Sequence, residues 1–339
     1  MNKLQKYIIH NLSILFLSIF IPLFAIASVI FLIKLATYTA VIHLTIWEMF
    51  KLYLFVLPEV LFYTLPVTFF IASVLTLFRL STDNEIVVLF SLGIKPNFII
   101  KTLLKPALLL SLLLAFDFFI LFPHATVLSS NFVSYKKSEA KFNLSASEFG
   151  HRFGDWLLYI GKDNPDGTFG DVFLFNKNQT EEILIEAKKA EVINNGGLLS
   201  LKLSNGEGYN YSKEKFSQVN FKTMNINDTM TTNLTTYRTP IEYWKSSDRK
   251  ESKTHMFITD TLLSLFPTIS LFLIVSIGVV HIRHQKARVY LYLFLGILIF
   301  YGSTMALQKI FVFYTIPIIA ILWLVSTYVI YRKTIVARF

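Results

Sequence analysis

The hydrophobic pattern of the chain switches character twice. Six long apolar stretches, at residues 12–33, 52–78, 98–122, 256–280, 289–307 and 310–331, flank one polar stretch. An α-helix rises ~1.5 Å per residue, so even the shortest stretch approaches the ~30 Å hydrocarbon core of a bilayer. The pattern predicts six transmembrane helices, with residues 1–123 and 256–339 carrying three each. The first stretch follows only Lys3 and Lys6, as a secretory leader would. Its apolar run exceeds the ~7–15 residues of a signal core, and no small-x-small cleavage site follows closely, so it reads as a retained helix.

The insertion, residues 124–255, has the pattern of β structure. Trp156–Ile160 and Val172–Phe175 are short apolar or aromatic runs bounded by Gly, Asp and Asn, and Glu182–Glu186 resembles a further strand. Asn194-Asn-Gly-Gly197 separates Ala190–Ile193 from Leu198–Leu203, and Asn205-Gly-Glu-Gly208 precedes Tyr209 and Tyr211. Asn-Gly pairs supply the positive φ that tight hairpins require. Short strands with regular turn signals predict an all-β sandwich or jelly roll. Either Leu199, Leu201 and Leu203 or the Tyr209/Tyr211 face lines its interior.

Composition sharpens the membrane reading. The chain is 54% hydrophobic and 16% charged, with a mean hydropathy of +0.54, against about 45–50% and about 25% in soluble domains. It has no Cys, which excludes disulfides, thiolate metal sites and a Cys nucleophile. The net charge of +10 is unevenly spread. Residues 124–255 hold 17 Lys/Arg against 16 Asp/Glu, so the remaining +9 flanks the apolar stretches. Lys3, Lys6, Arg79, Lys95, Lys101, Lys105, Arg283, Lys286, Arg288, Arg332, Lys333 and Arg338 fall on one face, and only Lys34, Lys51 and Lys309 on the other. By the positive-inside rule both termini are cytoplasmic and the β domain lies outside. The basic excess expresses topology, not affinity for nucleic acid.

Familiar chemistry is absent. No G-x-x-x-x-G-K-[ST] phosphate loop, H-E-x-x-H helix or G-x-S-x-G elbow occurs. Only His281 and His284 share a helix-like spacing, and the neighbouring Arg283 and Lys286 repel cations, so no metal site is expected. Glu59, Asp117 and Asp260 enter apolar stretches, as carboxylates of proton relays do. All three fall near the outer surface, however, and a relay needs several depths. Interfacial placement accounts for them, with Asp260 in the favourable first turn of its helix; a shared polar cavity opening outward is the alternative.

The most specific segment joins the second and third stretches. Thr82 and Glu85 have capping-box spacing, which predicts a short cytoplasmic helix over about 82–93. Ile86, Leu89, Phe90 and Gly93 recur at helical spacing as an exposed stripe, Gly93 suits the C′ position and Pro96 stops the helix. Such a helix lies in the lipid interface or docks in a partner's groove, and the acidic cap favours the partner.

With these residues in view, the chain resembles the LptF/LptG family of lipopolysaccharide export permeases, also called YjgP/YjgQ. The resemblance covers nearly the whole chain and rests on Leu65-Pro66 and on Arg79-Leu80, Glu85-Ile86, Leu89 and Gly93. Phe90 stands where the family commonly has Arg, and Arg79 points to the F-type paralogue. The resemblance implies an α-helical membrane protein with six transmembrane helices and an inserted periplasmic jelly roll. It also implies the inner-membrane permease subunit of an ATP-driven exporter, not itself an enzyme, that extracts lipopolysaccharide from the outer leaflet. The 82–93 helix, with Glu85, Ile86, Leu89, Phe90 and Gly93, would dock on a cytoplasmic LptB-type ATPase dimer that holds ATP and Mg; this chain needs no cofactor. A paralogous permease or second copy, and LptC/LptA-type bridge proteins, complete the implied system. Lys34, Lys51 and Lys309, at the outer ends of helices one, two and five, are candidate contacts for headgroup phosphates. Lys34 and Lys309 are preferred because the resemblance places helices one and five at the lateral gate. Two other classes remain open: a secondary transporter, although no inverted repeat or broken helix is apparent in the sequence, and a membrane-tethered sensor or scaffold.

The Cys-free chain gives the topology a direct check. A Cys placed at Asn195 should be labelled on intact cells by an impermeant thiol reagent, and one at Ser91 should not. The reverse labelling pattern overturns the orientation.

Overall fold

The computed structural model describes residues 3–39, 44–140, 151–153, 156–177, 181–195, 198–212, 215–227, 239–246, 250–279 and 288–337. His281, His284, Arg283, Lys286, Arg338 and the Gly196-Gly197 turn lie outside these. The chain divides into two compact units, Met1–Leu35 with Phe50–Val127 and Tyr237–Phe339, and Ala36–Met49 with Leu128–Thr236.

The first unit is helical. Its elements are α1 (Lys3–Thr39), α2 (Ile46–Thr82), α3 (Glu85–Ser91), α4 (Asn97–Phe116), α6 (Pro240–Lys245), α7 (Lys250–Ile269), α8 (Leu271–Gly278), α9 (Arg288–Phe311) and α10 (Thr315–Tyr331). A π-helical turn, Asp117–Leu121, joins α4 to α5 (Phe122–Ala140). Among the described residues, four helical runs are long and apolar enough to cross a membrane: Lys3–Thr37, Ile46–Thr82, Asn97–Ser134 and Arg288–Val336. The α7–α8 pair, bent by 50°, makes a fifth. The last run is a hairpin. It breaks at Val312–Tyr314, where Val312 has φ 46°, and the Phe300 and Trp323 rings meet at 5.1 Å. Along a straight helix 23 residues would separate them by about 35 Å.

Side chains sort as a bilayer solvent demands. Leu109, Ile30 and Leu298 face outward, while Thr68, Ser73 and Thr76 are buried between helices. Buried hydroxyls in such a setting favour acceptors on their own helix. Three threonines of α2 find one, whereas Ser73 Oγ has no hydrogen-bond partner among the described residues. Thr64, Thr68 and Thr76 bond to the carbonyls of Val60, Thr64 and Ala72 at 2.7–2.8 Å. An aromatic core ties α2, α7, α9 and α10 together: Phe266 lies 5.2 Å from Phe70 and 4.5 Å from Phe300. The α7–α8 bend follows Pro267, a residue type that kinks helices, and the Trp323 indole fixes it by donating to Ser270 Oγ at 3.0 Å. At Gly278, α8 presses on α2 so closely that a Cβ would sit 2.7 Å from that of Leu77 and 2.9 Å from the Val74 carbonyl.

The second unit carries one antiparallel sheet of six strands in chain order: β1 (His151–Phe153), β2 (Trp156–Asp163), β3 (Phe169–Lys177), β4 (Glu181–Asn195), β5 (Leu198–Ser212) and β6 (Phe216–Asn227). The described strands thus form a meander; no crossover of the jelly-roll type occurs among them. One face carries the core, with Ile160, Leu174, Ala187, Leu201 and Leu203 at 0% exposure. The alternation reverses half-way along the β4–β5 ladder. Leu201 and Leu203 face the core with their partners Val192 and Ala190, then Gly206 and Gly208 take the inner positions opposite Ala187 and Ile185. The reversal falls at Lys188, Lys189 and Asn205, all exposed, with Asn205 at φ 54°. Tyr209 and Tyr211 consequently sit on the opposite face from Leu201 and Leu203, and Tyr211 is exposed. Gly206 is obligatory, since a Cβ there would lie 2.1 Å from the Glu186 carbonyl.

The boundaries on either side of the β insertion differ from the sequence reading, and one short helix is added. The third membrane segment continues as helix to Ala140 instead of stopping near residue 122. The fourth begins at Lys250, ahead of residue 256, and the short helix α6 precedes it, with Thr239 Oγ1 capping Glu242 N–H at 3.2 Å. The polar Ser, Asn and Lys positions of 129–137 carry no hydrophobic period, so the helix that continues through them was not visible as one. An ion pair of 2.6 Å between Lys136 and Glu48 links α5 to the start of α2.

Candidate coupling helix and headgroup site

The connection after α2 is built from backbone geometry, not from the expected capping box. α2 runs through Thr82, whose hydroxyl donates to the Arg79 carbonyl at 2.8 Å and is therefore not a cap for α3. Asp83 and Asn84 form the turn, Asn84 takes the N-cap position at φ 62°, and no side chain caps it. The helix accordingly spans Glu85–Ser91, shorter than the 82–93 expected. Its C-terminus matches expectation: Gly93 at φ 82° donates to the Phe90 carbonyl and Ile94 to that of Leu89, at 2.9 and 3.1 Å, the Schellman pattern.

The expected stripe divides between two faces. Ile86 is 1% exposed within the helical core, and Phe90 packs partly against the same core. Leu89 is half-buried. Val88 and Leu92, at 54% and 74%, are the large apolar side chains turned outward. A groove on a partner would therefore meet Val88 and Leu92; Ile86 is spent on seating the helix. Glu85 has an internal partner as well. The Tyr7 hydroxyl of α1 donates to its Oε1 at 2.9 Å, a contact that sequence reasoning missed.

On the other set of candidates, Lys309 lies in the last turn of α9, where a cation complements the helix dipole. It lines a cleft of about 650 Å³ with Lys250, Glu251, Thr254, His255 and Val312. Three cationic or protonatable side chains and a hydroxyl converge there, with Glu251 4.0 Å from His255 Nε2 as the acidic member. Lys250, Thr254 and His255 were missed because they precede the apolar part of α7. Neither Lys34 nor Lys51 is among the described residues lining this cleft. Lys34 interacts electrostatically with Glu59, and Lys51 lies 6.0 Å above the Phe55 ring.

Two of the three acids depart from the interfacial reading. Asp117 and Asp260 are 3% and 1% exposed within the helical unit, whereas Glu59 is exposed. Asp260 lies in the third turn of α7, so a first-turn dipole contact does not hold it; the Tyr63 hydroxyl donates to it at 3.3 Å. Asp117 opens the π turn, and its Oδ1 has no hydrogen-bond partner. The bend in α7–α8 also corrects the expectation of unbroken helices. Its polar groups are neutral and internally paired, Ser270 with Trp323 and Thr268 with Ser111 at 2.8 Å, unlike the ion-binding breaks of secondary transporters.

The family model of the lipopolysaccharide export system permease LptF/LptG matches residues 6–330. The chain belongs to this family. The match spans both helical halves and the β insertion, and it is common to F-type and G-type permeases. No curated protein sequence matches the chain. Membership makes it a permease subunit of a lipopolysaccharide export system, an inner-membrane multi-pass protein and not itself an enzyme.

The two faces of α3 predict opposite mutational behaviour. Ile86→Ala should cost about 2–5 kcal/mol, the range for large-to-small core changes, and lower the unfolding temperature of the purified permease. Leu92→Ala should stay within about 0.5 kcal/mol of wild type. Equal effects at the two positions contradict the assignment of faces.

Proposed function

We propose that this permease is the transmembrane subunit of an ATP-driven exporter that lifts lipopolysaccharide from the outer leaflet of the inner membrane and passes it to LptC/LptA-type bridge proteins. The observation that carries the reading is α3, a short helix seated by Ile86 and presenting Val88 and Leu92. An apolar patch of this size suits the groove of a separate protein, here an LptB-type ATPase dimer that supplies the ATP and Mg chemistry. The chain's lack of a phosphate loop supports that division of labour.

Counting α9 and α10 as two crossings and α7–α8 as one bent crossing gives six. An even number returns both termini to one face, and the basic residues assign that face to the cytoplasm. The β unit then stands in the periplasm as a sheet whose apolar face, Leu201 and Leu203 included, is offered to acyl chains. A second permease, paralogue or identical copy, closes the cavity.

The Lys309 cleft is the proposed station for an anionic headgroup, with Lys34 as the second cation. A phosphate fits three convergent donors better than a neutral sugar does, because charge-assisted hydrogen bonds are the stronger kind. Lys51, placed over an aromatic ring, is assigned to interfacial anchoring.

The test is ATP-dependent release of lipopolysaccharide from proteoliposomes holding this permease with its partner permease and ATPase. Lys309→Ala should weaken lipopolysaccharide binding about ten- to hundredfold, the value of a hydrogen bond to a charged group. Lys309→Arg should lose less, since Arg also binds phosphate. Normal affinity and transport in Lys309→Ala and in the Lys34→Ala/Lys309→Ala double variant remove the headgroup assignment.

A further inference from the structure

α1 is held unlike the other membrane helices. Only Ile8, Leu12, Ser28 and Leu35 are buried among its described side chains; most of its length faces away from the rest of the chain. Ile8 and Leu12 enter the same core as Ile86 of α3. Near the other end, the Ser28 hydroxyl meets that of Tyr53 at 2.8 Å. Helix α1 therefore touches the core along one narrow stripe, Ile8, Leu12, Phe16 and Ile19, and leaves most of its surface outside, an attachment light enough for it to move as a lever.

Tyr7 lies beside the first fastening. Its hydroxyl donates to Glu85 Oε1 at 2.9 Å across 78 residues of sequence, and its own ring is 44% exposed. The ring is thus not placed by deep packing, and the hydrogen bond is its specific engagement with α3. Glu85 is the first residue of α3, following the unsupported N-cap Asn84. A pull on α3 reaches α1 through this bond and through the core that Ile8 and Leu12 share with Ile86.

We propose that Tyr7 is a positioning residue for energy coupling, which joins the start of α3 to α1 so that a displacement of α3 moves the loosely packed helix with it. The inference rests on the reading of α3 as the ATPase contact. Tyr7 touches neither nucleotide nor substrate; it acts through Glu85. The role differs from that of Val88 and Leu92, which face the partner, and from that of Ile86, which seats the helix. Tyr7→Phe keeps the ring and removes only the hydroxyl, so it separates the tether from packing.

The experiment uses the complete complex in proteoliposomes and reads three quantities: ATPase subunit retained on purification, ATP hydrolysed and lipopolysaccharide released per ATP. Tyr7→Phe should retain the ATPase subunit and hydrolysis while release per ATP falls about two- to tenfold, the scale of one ordinary hydrogen bond. In a Glu85→Ala background the same substitution should cause no further fall, because the acceptor is already gone. Glu85→Gln keeps an acceptor oxygen, so Tyr7→Phe should still reduce release there. Unchanged release per ATP in Tyr7→Phe overturns the proposal, as does an equal fall with Glu85→Ala present. If the wild-type complex releases no lipopolysaccharide with ATP, the exporter reading itself fails, and this inference with it.

Discussion

A helix of seven residues has no stability of its own in water, because nucleating its first turn costs more than its few hydrogen bonds return. That constraint governs α3, and the proposed coupling depends on how it is met. Burial of Ile86 among the membrane helices is worth about 1.5–3 kcal/mol. The Schellman closure at Gly93 satisfies its last carbonyls, and Tyr7 anchors Glu85. These contacts leave Val88 and Leu92 outside. A segment fixed on one side and apolar on the other can transmit a displacement; one that merely floated in the lipid interface would absorb it.

The same economy runs through the helical unit. A bilayer rewards outward apolar side chains and penalises unpaired polar groups, so Ser and Thr hydroxyls bond along their own helices or across to a neighbour. The α7–α8 bend is tolerated because Trp323 and Ser270 pair at it. Asp260 has a partner in Tyr63, while one oxygen of Asp117 has none, at a π turn interrupting the third membrane segment. Gly278 permits α8 to lie against α2, bringing the Gly278 carbonyl within 3.2 Å of the Ser81 hydroxyl near the end of α2.

Legibility in the sequence followed the strength of the physical signal. Long apolar stretches located the centres of the membrane helices, because bilayer thickness sets the apolar length. They did not locate the ends: α1 starts at Lys3 and the third segment runs on to Ala140. The Gly93 stop was legible because a left-handed terminus favours Gly. Strand positions around Trp156 and Val172 were marked by their turn residues. Where a choice of faces was needed, local pattern failed. Ile86 and Val88 are both apolar neighbours on one short helix, and only the surrounding helices decide which is buried. The facing of Leu201 against Tyr209 depended on a reversal at Asn205 that strict alternation does not encode. Thr82 had the spacing of a cap, yet α2 extended through it and Asn84 took that place. Tyr7 carried no sequence signal, since its partner lies 78 residues away.

The central claim is that force enters this permease through the outward face of α3. A spin label on a Cys placed at Leu92, in a chain with no other Cys, reports that face directly. In proteoliposomes, adding the ATPase subunit should immobilise the label and broaden its spectrum, while a label at Asn195 on the β unit stays unchanged. A Leu92 label whose mobility is the same with and without a bound ATPase contradicts the account.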